Sequence, residues 1–253
     1  GNEAGRLPTG DHKSFSLVDG LTSDRLMNRV SLQKQFDDLR QRFDSNRTFQ
    51  HLDTVDQQAL DIVLSGRTRD AFQLDKEDAK TRESYGDGWG EQALLARRLV
   101  EAGVRFVSLN TGYWDDHGNI KGALDSKMPR HDRAVGVLIQ DLADRGILDD
   151  TLVITAGEFG RTPTMEGLGK GRNHNPLGYS VWLAGGGVKG GQAIGATDEF
   201  GYAAVERPVS ISDFYATLLY SLGINQHELA WSHHGRDEIA TNLGGDIVHE
   251  VFA

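Results

Sequence analysis

The chain contains no cysteine, and this absence removes several kinds of site at once. None of its 253 residues can form a disulfide, a zinc–thiolate centre or a thiol nucleophile. A chain of this length can bury a large apolar core without covalent cross-links, so the missing cysteines do not identify a cellular compartment.

Long apolar runs and an excess of positive charge are also missing. No stretch reaches the roughly 18 consecutive apolar residues of a membrane-spanning helix, and no secretory signal is present. The formal net charge of −10 argues against nucleic acid or anionic lipid as the main partner. The chain begins with a polar stretch at Gly1 instead of with Met, which we interpret as a processed or truncated start.

The first 86 residues are predicted to be a loop followed by a charged helical region. Apolar residues recur there with a spacing close to 3.6, the period of an α-helix. The composition changes after Gly86-Asp87-Gly88, which predicts a boundary between 1–86 and 87–253, and we interpret the two regions as parts of one domain. Helices are predicted over residues 23–43, 53–64, 68–73 and 76–84.

Helices and strands are predicted to alternate after the boundary. Short β-branched runs such as Thr151-Leu152-Val153-Ile154-Thr155 are typical of buried parallel strands. Such alternation favours an α/β fold, a mostly parallel sheet flanked by helices. Strands are predicted over 104–109, 151–155 and 180–184, a small hairpin within 188–205, and helices over 91–102, 123–145 and about 210–222.

Polar residues cluster at the predicted strand ends, where open α/β sheets bind their ligands. Asp115, Asp116 and His117 follow the first strand, and Glu158 and Arg161 follow the second. Arg172, Asn173 and His174 precede the third strand. Carboxylate and imidazole together bind zinc, manganese or iron, and neighbouring guanidinium groups suit phosphate or sulfate.

Each of these residues also has an ordinary structural interpretation. Asp115 and Asp116 fit a turn, Glu158 fits an ion pair with Arg161, and His174 fits an exposed surface position. The chain has no GxSxG nucleophile elbow, no HExxH zinc motif and no P-loop. Residue types and spacing therefore lead to an α/β hydrolase with a candidate metal site, and no further.

Several motifs in the second part resemble a bacterial family catalogued as domain of unknown function 1501, which is placed in the alkaline phosphatase/sulfatase superfamily. They occur in the family's order over about residues 88–240. The motifs include Trp114-Asp115-Asp116-His117-Gly118-Asn119, Gly157-Glu158-Phe159-Gly160-Arg161-Thr162-Pro163, Gly171-Arg172-Asn173-His174-Asn175-Pro176, Leu183-Ala184-Gly185-Gly186-Gly187 and His234-Gly235-Arg236-Asp237.

The resemblance implies an alkaline phosphatase-like fold of which this chain is the C-terminal part, with the N-terminal part missing. It implies that Asp115, His117, Glu158 and His174 hold a divalent metal, zinc or manganese, with calcium or magnesium as the alternative. Phe159 stands where the superfamily has the histidine of an Asp-His pair, which puts a full two-metal site in doubt.

The function implied by the resemblance is metal-dependent hydrolysis of phosphate or sulfate esters. The substrate would be an anionic small molecule or glycan ester, and Arg161 and Arg172 would neutralise the charge that develops on its oxygens. The nucleophile would lie in the missing part, so the fragment is expected to be inactive alone. The alternatives are a non-catalytic protein that binds a metal or a sulfated glycan, and a metal-free structural subunit. The family is typically exported, which implies a periplasmic location.

Overall fold

The computed structural model describes residues 22, 25, 27–28, 31, 70–166, 170–241 and 244–252. The chain divides into two compact units, residues 1–112 with 133–138, and residues 113–132 with 139–253. The predicted boundary near residue 86 stays a prediction. The predicted helix over 53–64 lies outside the described residues. Of the predicted helix over 23–43, the structure describes only four residues, and all four are helical: Arg25, Met27, Asn28 and Ser31.

Residues 70–112, the main described part of the first unit, contain two α-helices of more than one turn, α1 (Ala79–Tyr85) and α2 (Trp89–Glu101). Helix α1 begins at the N-cap Asp78, whose side chain accepts a hydrogen bond from the N–H of Thr81. Helix α2 ends in a Schellman motif: Gly103 has φ +98°, and the N–H of Val104 donates to the carbonyl of Leu99. Both helices match the predicted ones closely. The prediction over 68–73 is described only from Asp70, and that helix ends at Ala71.

The strand predicted over 104–109 is wrong, because the structure has no regular secondary structure there. Its apolar side chains pack against helices instead of pairing in a sheet. Val104 and Val107 lie on the buried cluster that contains Leu95 and Leu99, and Leu109 lies on a second cluster, which contains Tyr85, Ala93, Leu94 and Ala134. Phe106, which lies between Val104 and Val107 in the sequence, is 73% exposed.

A long helix, α3 (Ile120–Asp144), contributes to both units. It begins three residues before the predicted start at residue 123, and its N-cap Asn119 has φ 39°. Pro129 lies inside the helix and does not mark its first turn. The apolar residues Ala134, Val137 and Leu138 face the second cluster of the first unit.

The second unit has eight short strands in the described residues, arranged as four separate antiparallel pairs. The predicted parallel sheet, and with it the alkaline phosphatase-like α/β fold, is therefore wrong. The strands β1 (Val153–Thr155) and β4 (Trp182–Ala184) were predicted near these positions, but they pair antiparallel to each other, with Ile154 opposite Leu183. The pairs are β1–β4, β2 (Gly160–Arg161) with β3 (His174–Asn175), β5 (Ala196–Thr197) with β6 (Ala204–Glu206), and β7 (Ala230–His233) with β8 (Arg236–Ile239).

The last helix, α4 (Ile211–Ser221), has a complete capping box. Ser210 accepts from the N–H of Asp213, and the Asp213 carboxylate accepts from the N–H of Ser210 and of Asp246. Burial raises the pKa of Asp213, but these backbone hydrogen bonds outweigh it and leave the pKa below its ordinary value. The predicted helix over about 210–222 and the predicted hairpin within 188–205, observed as β5–β6, are both confirmed.

None of the helices that the structure describes is long and apolar enough to cross a bilayer.

Candidate metal centre

The segment 113–118 presents its side chains in two directions. A hydrogen bond from the N–H of Asp116 to the carbonyl of Trp114 (3.1 Å) forms a tight γ-turn centred on Asp115. Asp115 and His117 lie together on one side, with Oδ1 of Asp115 3.0 Å from Nδ1 of His117. Asp116 points elsewhere and forms an ion pair with Lys127 of α3.

The strands β2 and β3 bring two more side chains to the same place. Their register sets Arg161 opposite His174, and directly opposed side chains project from the same face of a strand pair. The guanidinium of Arg161 and the imidazole of His174 both contact Asp115. Residues far apart in sequence therefore meet at one carboxylate.

A glycine makes this meeting possible. A Cβ atom on Gly171 would lie 1.9 Å from the carbonyl oxygen of His117 and 2.6 Å from the nitrogen of Gly118. The backbone just before β3 therefore packs directly on the backbone of the 113–118 segment. The N–H of Ile120 also donates to the carbonyl of Lys170 (2.8 Å), next to this contact.

The centre of the group is a single oxygen atom, Oδ1 of Asp115. Three nitrogen atoms surround it: Nη2 of Arg161 at 2.6 Å, Nε2 of His174 at 2.9 Å and Nδ1 of His117 at 3.0 Å. The second carboxylate oxygen, Oδ2, accepts a hydrogen bond from the hydroxyl of Tyr113 (3.0 Å). One carboxylate therefore holds four side chains together.

These contacts keep Asp115 ionised at neutral pH. The hydrogen bonds from Arg161, His174 and Tyr113 hold the pKa of the Asp115 carboxyl well below its usual value, against a smaller opposing effect of desolvation. The same contact raises the pKa of Tyr113, because a deprotonated phenol could no longer donate to the carboxylate. A carboxylate must be deprotonated to bind a metal, so Asp115 is in the ligand form.

Asp115, His117 and His174 form a group with the dimensions of a metal site. One ligand atom from each lies within 4.8 Å of the other two. Neighbouring ligands of a six-coordinate ion with bonds of about 2.1 Å are about 3.0 Å apart. The two imidazole–carboxylate separations, 2.9 and 3.0 Å, are also hydrogen-bond lengths, so an ion would have to replace these contacts. By residue type and proximity, the three side chains could hold a divalent ion.

The group is open to solvent. The side chains of His117, His174 and Asp115 are 46%, 43% and 35% exposed. Metal sites that act on substrates combine three protein ligands with a position open to water or substrate. Three ligands on an exposed face have this arrangement.

Glu158 and Arg172 stand apart from the group. Glu158 is exposed and is not one of the three clustered residues. The guanidinium of Arg172 donates to the carbonyl of Thr162 (2.8 Å), across the β2–β3 pair. Phe159, where the resemblance implied a histidine, packs its ring on that of His174 with the ring centroids 4.3 Å apart.

Two contributors, Tyr113 and Lys127, do not appear in the candidate site that the sequence predicts. Tyr113 precedes Asp115 by two residues, and this spacing could have indicated that the two side chains lie on the same face of the segment. Lys127 lies eleven residues from its partner Asp116, on a helix, and no local pattern points to it.

The geometry defines an N/O-ligand centre of one carboxylate and two imidazoles. The chain belongs to the family described as protein of unknown function (DUF1501), whose model matches residues 5–252. No curated protein and no solved structure matches the chain.

Proposed function

We propose that this protein is a metal-dependent hydrolase of phosphate or sulfate esters, with Asp115, His117 and His174 as the ligands of one divalent ion. The observation that carries the proposal is the convergence of these three side chains within 4.8 Å. Glu158, predicted as a fourth ligand, lies outside the group and is left out of the proposed ligand set.

The ligand types favour zinc or manganese over calcium or magnesium. Two imidazole nitrogens suit transition metals and zinc, whereas calcium and magnesium prefer oxygen ligands. A divalent ion there would polarise an ester oxygen and lower the pKa of a bound water. Asp115, already ionised, supplies the negative charge that such an ion requires.

The position of Arg161 favours a substrate that carries a negative charge. Its side chain is 22% exposed and its guanidinium lies beside the ligand carboxylate, so it is placed to pair with phosphate or sulfate oxygens at the same site. Arg172 lies two residues before His174, and its guanidinium donates to the carbonyl of Thr162. We therefore assign the direct contact with the substrate anion to Arg161 and a supporting role to Arg172.

One observation favours a second function, metal or sulfated-glycan binding without turnover. In the structure Arg161 donates to Asp115 and to the backbone carbonyls of Trp114 and Arg172. A guanidinium engaged in this way must release at least one partner before it can stabilise a reacting oxyanion. A binding protein has no such requirement.

The test is metal content by elemental mass spectrometry, followed by turnover of p-nitrophenyl phosphate and p-nitrophenyl sulfate. The wild-type chain should retain about one zinc or manganese ion after dialysis, and His174→Ala and Asp115→Asn should lose it. Glu158→Gln is the matched control, because it changes a nearby exposed carboxylate and should retain the ion.

The outcomes separate the two functions. Turnover that needs the ion supports the hydrolase, and a bound ion together with retention of a sulfated glycan, without turnover of either ester, supports the binding protein. A folded wild-type chain that takes up no zinc, manganese or calcium would overturn the hydrolase and the metal-binding protein. An exported, periplasmic location is part of the proposal and rests on the family resemblance alone.

A further inference from the structure

The side chain between the two ligands of the 113–118 segment contacts α3 instead of the ligand group. Asp116 forms a half-buried ion pair with Lys127 of α3, whose Nζ lies 3.0 and 2.8 Å from the two carboxylate oxygens. The side chains of Lys127 and Asp116 are 22% and 16% exposed, in contrast to the open metal ligands on either side. Both oxygens are engaged, so the carboxylate is fixed in orientation.

Lys127 contacts more of the segment than Asp116 alone. Its Nζ lies 5.4 Å from the centroid of the Trp114 ring and 6.0 Å from that of Tyr113, both within the range of a cation–π interaction. The Trp114 ring in turn packs edge-on against His131, one turn further along α3, at 5.8 Å. One lysine therefore holds three positions of the segment, Tyr113, Trp114 and Asp116, against one helix.

We infer that Lys127, through Asp116, positions the candidate metal centre. With residues 114 and 116 held against α3, the backbone at Asp115 between them is held as well, and Asp115 contacts His117, His174 and Arg161. Groups of this kind behind the ligands orient them, and their loss typically lowers metal affinity by about 10- to 100-fold. The inference rests on the proposed metal site.

The same geometry makes Lys127 a positioning residue and not a ligand. Its ammonium is a cation, and it contacts Asp116 and the two aromatic rings. Replacing it changes neither the number nor the type of metal ligands. Loss of a nearby positive charge would by itself strengthen the binding of a cation, so a weaker affinity must pass through the placement of Asp115 and His117.

The experiment is a titration of the full chain with Co²⁺, whose visible absorption bands report the number and arrangement of ligands. The variants are Lys127→Met, which removes the charge, and Lys127→Arg, which keeps it. Arg145→Met is the matched control, because Arg145 forms a comparably exposed ion pair with Asp141 near the far end of α3. Thermal unfolding of each variant is measured alongside.

The wild type and Arg145→Met should bind one Co²⁺ with the same spectrum. Lys127→Met should bind about 10- to 100-fold more weakly with a changed band intensity, and Lys127→Arg should recover most of the affinity. An unchanged affinity and spectrum in Lys127→Met, with normal binding by the wild type, would overturn this inference and leave the proposed function intact. No Co²⁺ binding by a folded wild type would overturn both.

Discussion

Replacing Gly171 by alanine tests whether the backbone contact between β3 and the 113–118 segment builds the site. The added Cβ would lie 1.9 Å from the carbonyl oxygen of His117, and real Cβ atoms are not found closer than 3.0 Å to such an atom. The backbones must therefore separate by about 1.1 Å. Both contacting groups are main chain, so no flexible side chain can absorb this movement.

The movement is large compared with what a metal site tolerates. Ligand distances in a well-formed site vary by only about 0.2 Å, so a shift several times larger separates His174 from Asp115 and His117. We expect Gly171→Ala to weaken zinc binding by at least about 10-fold, comparable to the loss of an orienting group. Forcing an extra carbon into a filled space also destabilises a fold by about 1–3 kcal/mol.

The assay is isothermal titration with zinc, with urea unfolding on the same samples. Gly118→Ala is the control, because Gly118 is part of the same contact but its Cβ direction is open, with no atom within 4 Å. It should bind zinc like the wild type. If Gly171→Ala binds zinc and unfolds as the wild type does, the close backbone approach does not build the site.

Three further substitutions test other parts of the structure. Asp213→Asn should cost about 1 kcal/mol at pH 7, as the loss of a helix cap does, measured by urea unfolding. The pKa of Asp213 in the folded protein lies below its value of about 3.9 in the unfolded chain. The carboxylate therefore contributes fully to the free energy of unfolding when the pH is above about 3.9. The contribution is lost as the pH falls through the folded pKa, so the stabilities of wild type and variant should converge in acid. A difference that stays constant throughout acid titration of the folded protein would contradict this. Gly136→Ala, inside α3 with open space around it, should raise stability by roughly 0.5–1 kcal/mol in thermal unfolding, and a loss would show that the helix needs the glycine. Arg97→Met removes a buried cation that pairs with Glu77 (2.6 Å) and Glu101, so it should destabilise by about 3 kcal/mol. A near-neutral result in urea unfolding would mean that Arg98, which also pairs with Glu77, compensates.

Local sequence signals predicted the helices well because the caps are local. Ser210 with Asp213, and glycine after the last turn of α2, act within a few residues and can be read directly. Three of the four metal ligands predicted from the sequence meet in the structure, since Asp115 and His117 are neighbours and His174 lies on the strand paired with that of Arg161.

The sheet could not be read in the same way, because strand pairing depends on distant residues. The apolar run Val104 to Leu109 has the composition of a buried strand, but its valines and leucine pack against helices. The β-branched run ending at Thr155 is a strand, yet its partner is antiparallel. Neither the composition of a strand nor the alternation of helices and strands along the chain determines whether a partner strand runs parallel or antiparallel. The predicted parallel sheet was wrong for that reason. The contact of Lys127 with Asp116 was missed for a related reason, because the helix and the loop meet only after folding.

The β7–β8 hairpin, finally, has a consequence for proteolysis. Every residue of its two strands is exposed except Ile239, and the turn between them places His234 at φ 51° and Gly235 at φ 77°. A two-stranded hairpin open to solvent on both faces is only marginally stable, so it opens locally at little cost. Arg236, at the start of the second strand, is therefore an early site for limited trypsin digestion within the described part of the second unit. A cut there would leave the segments that carry Asp115, His117 and His174 in one continuous fragment.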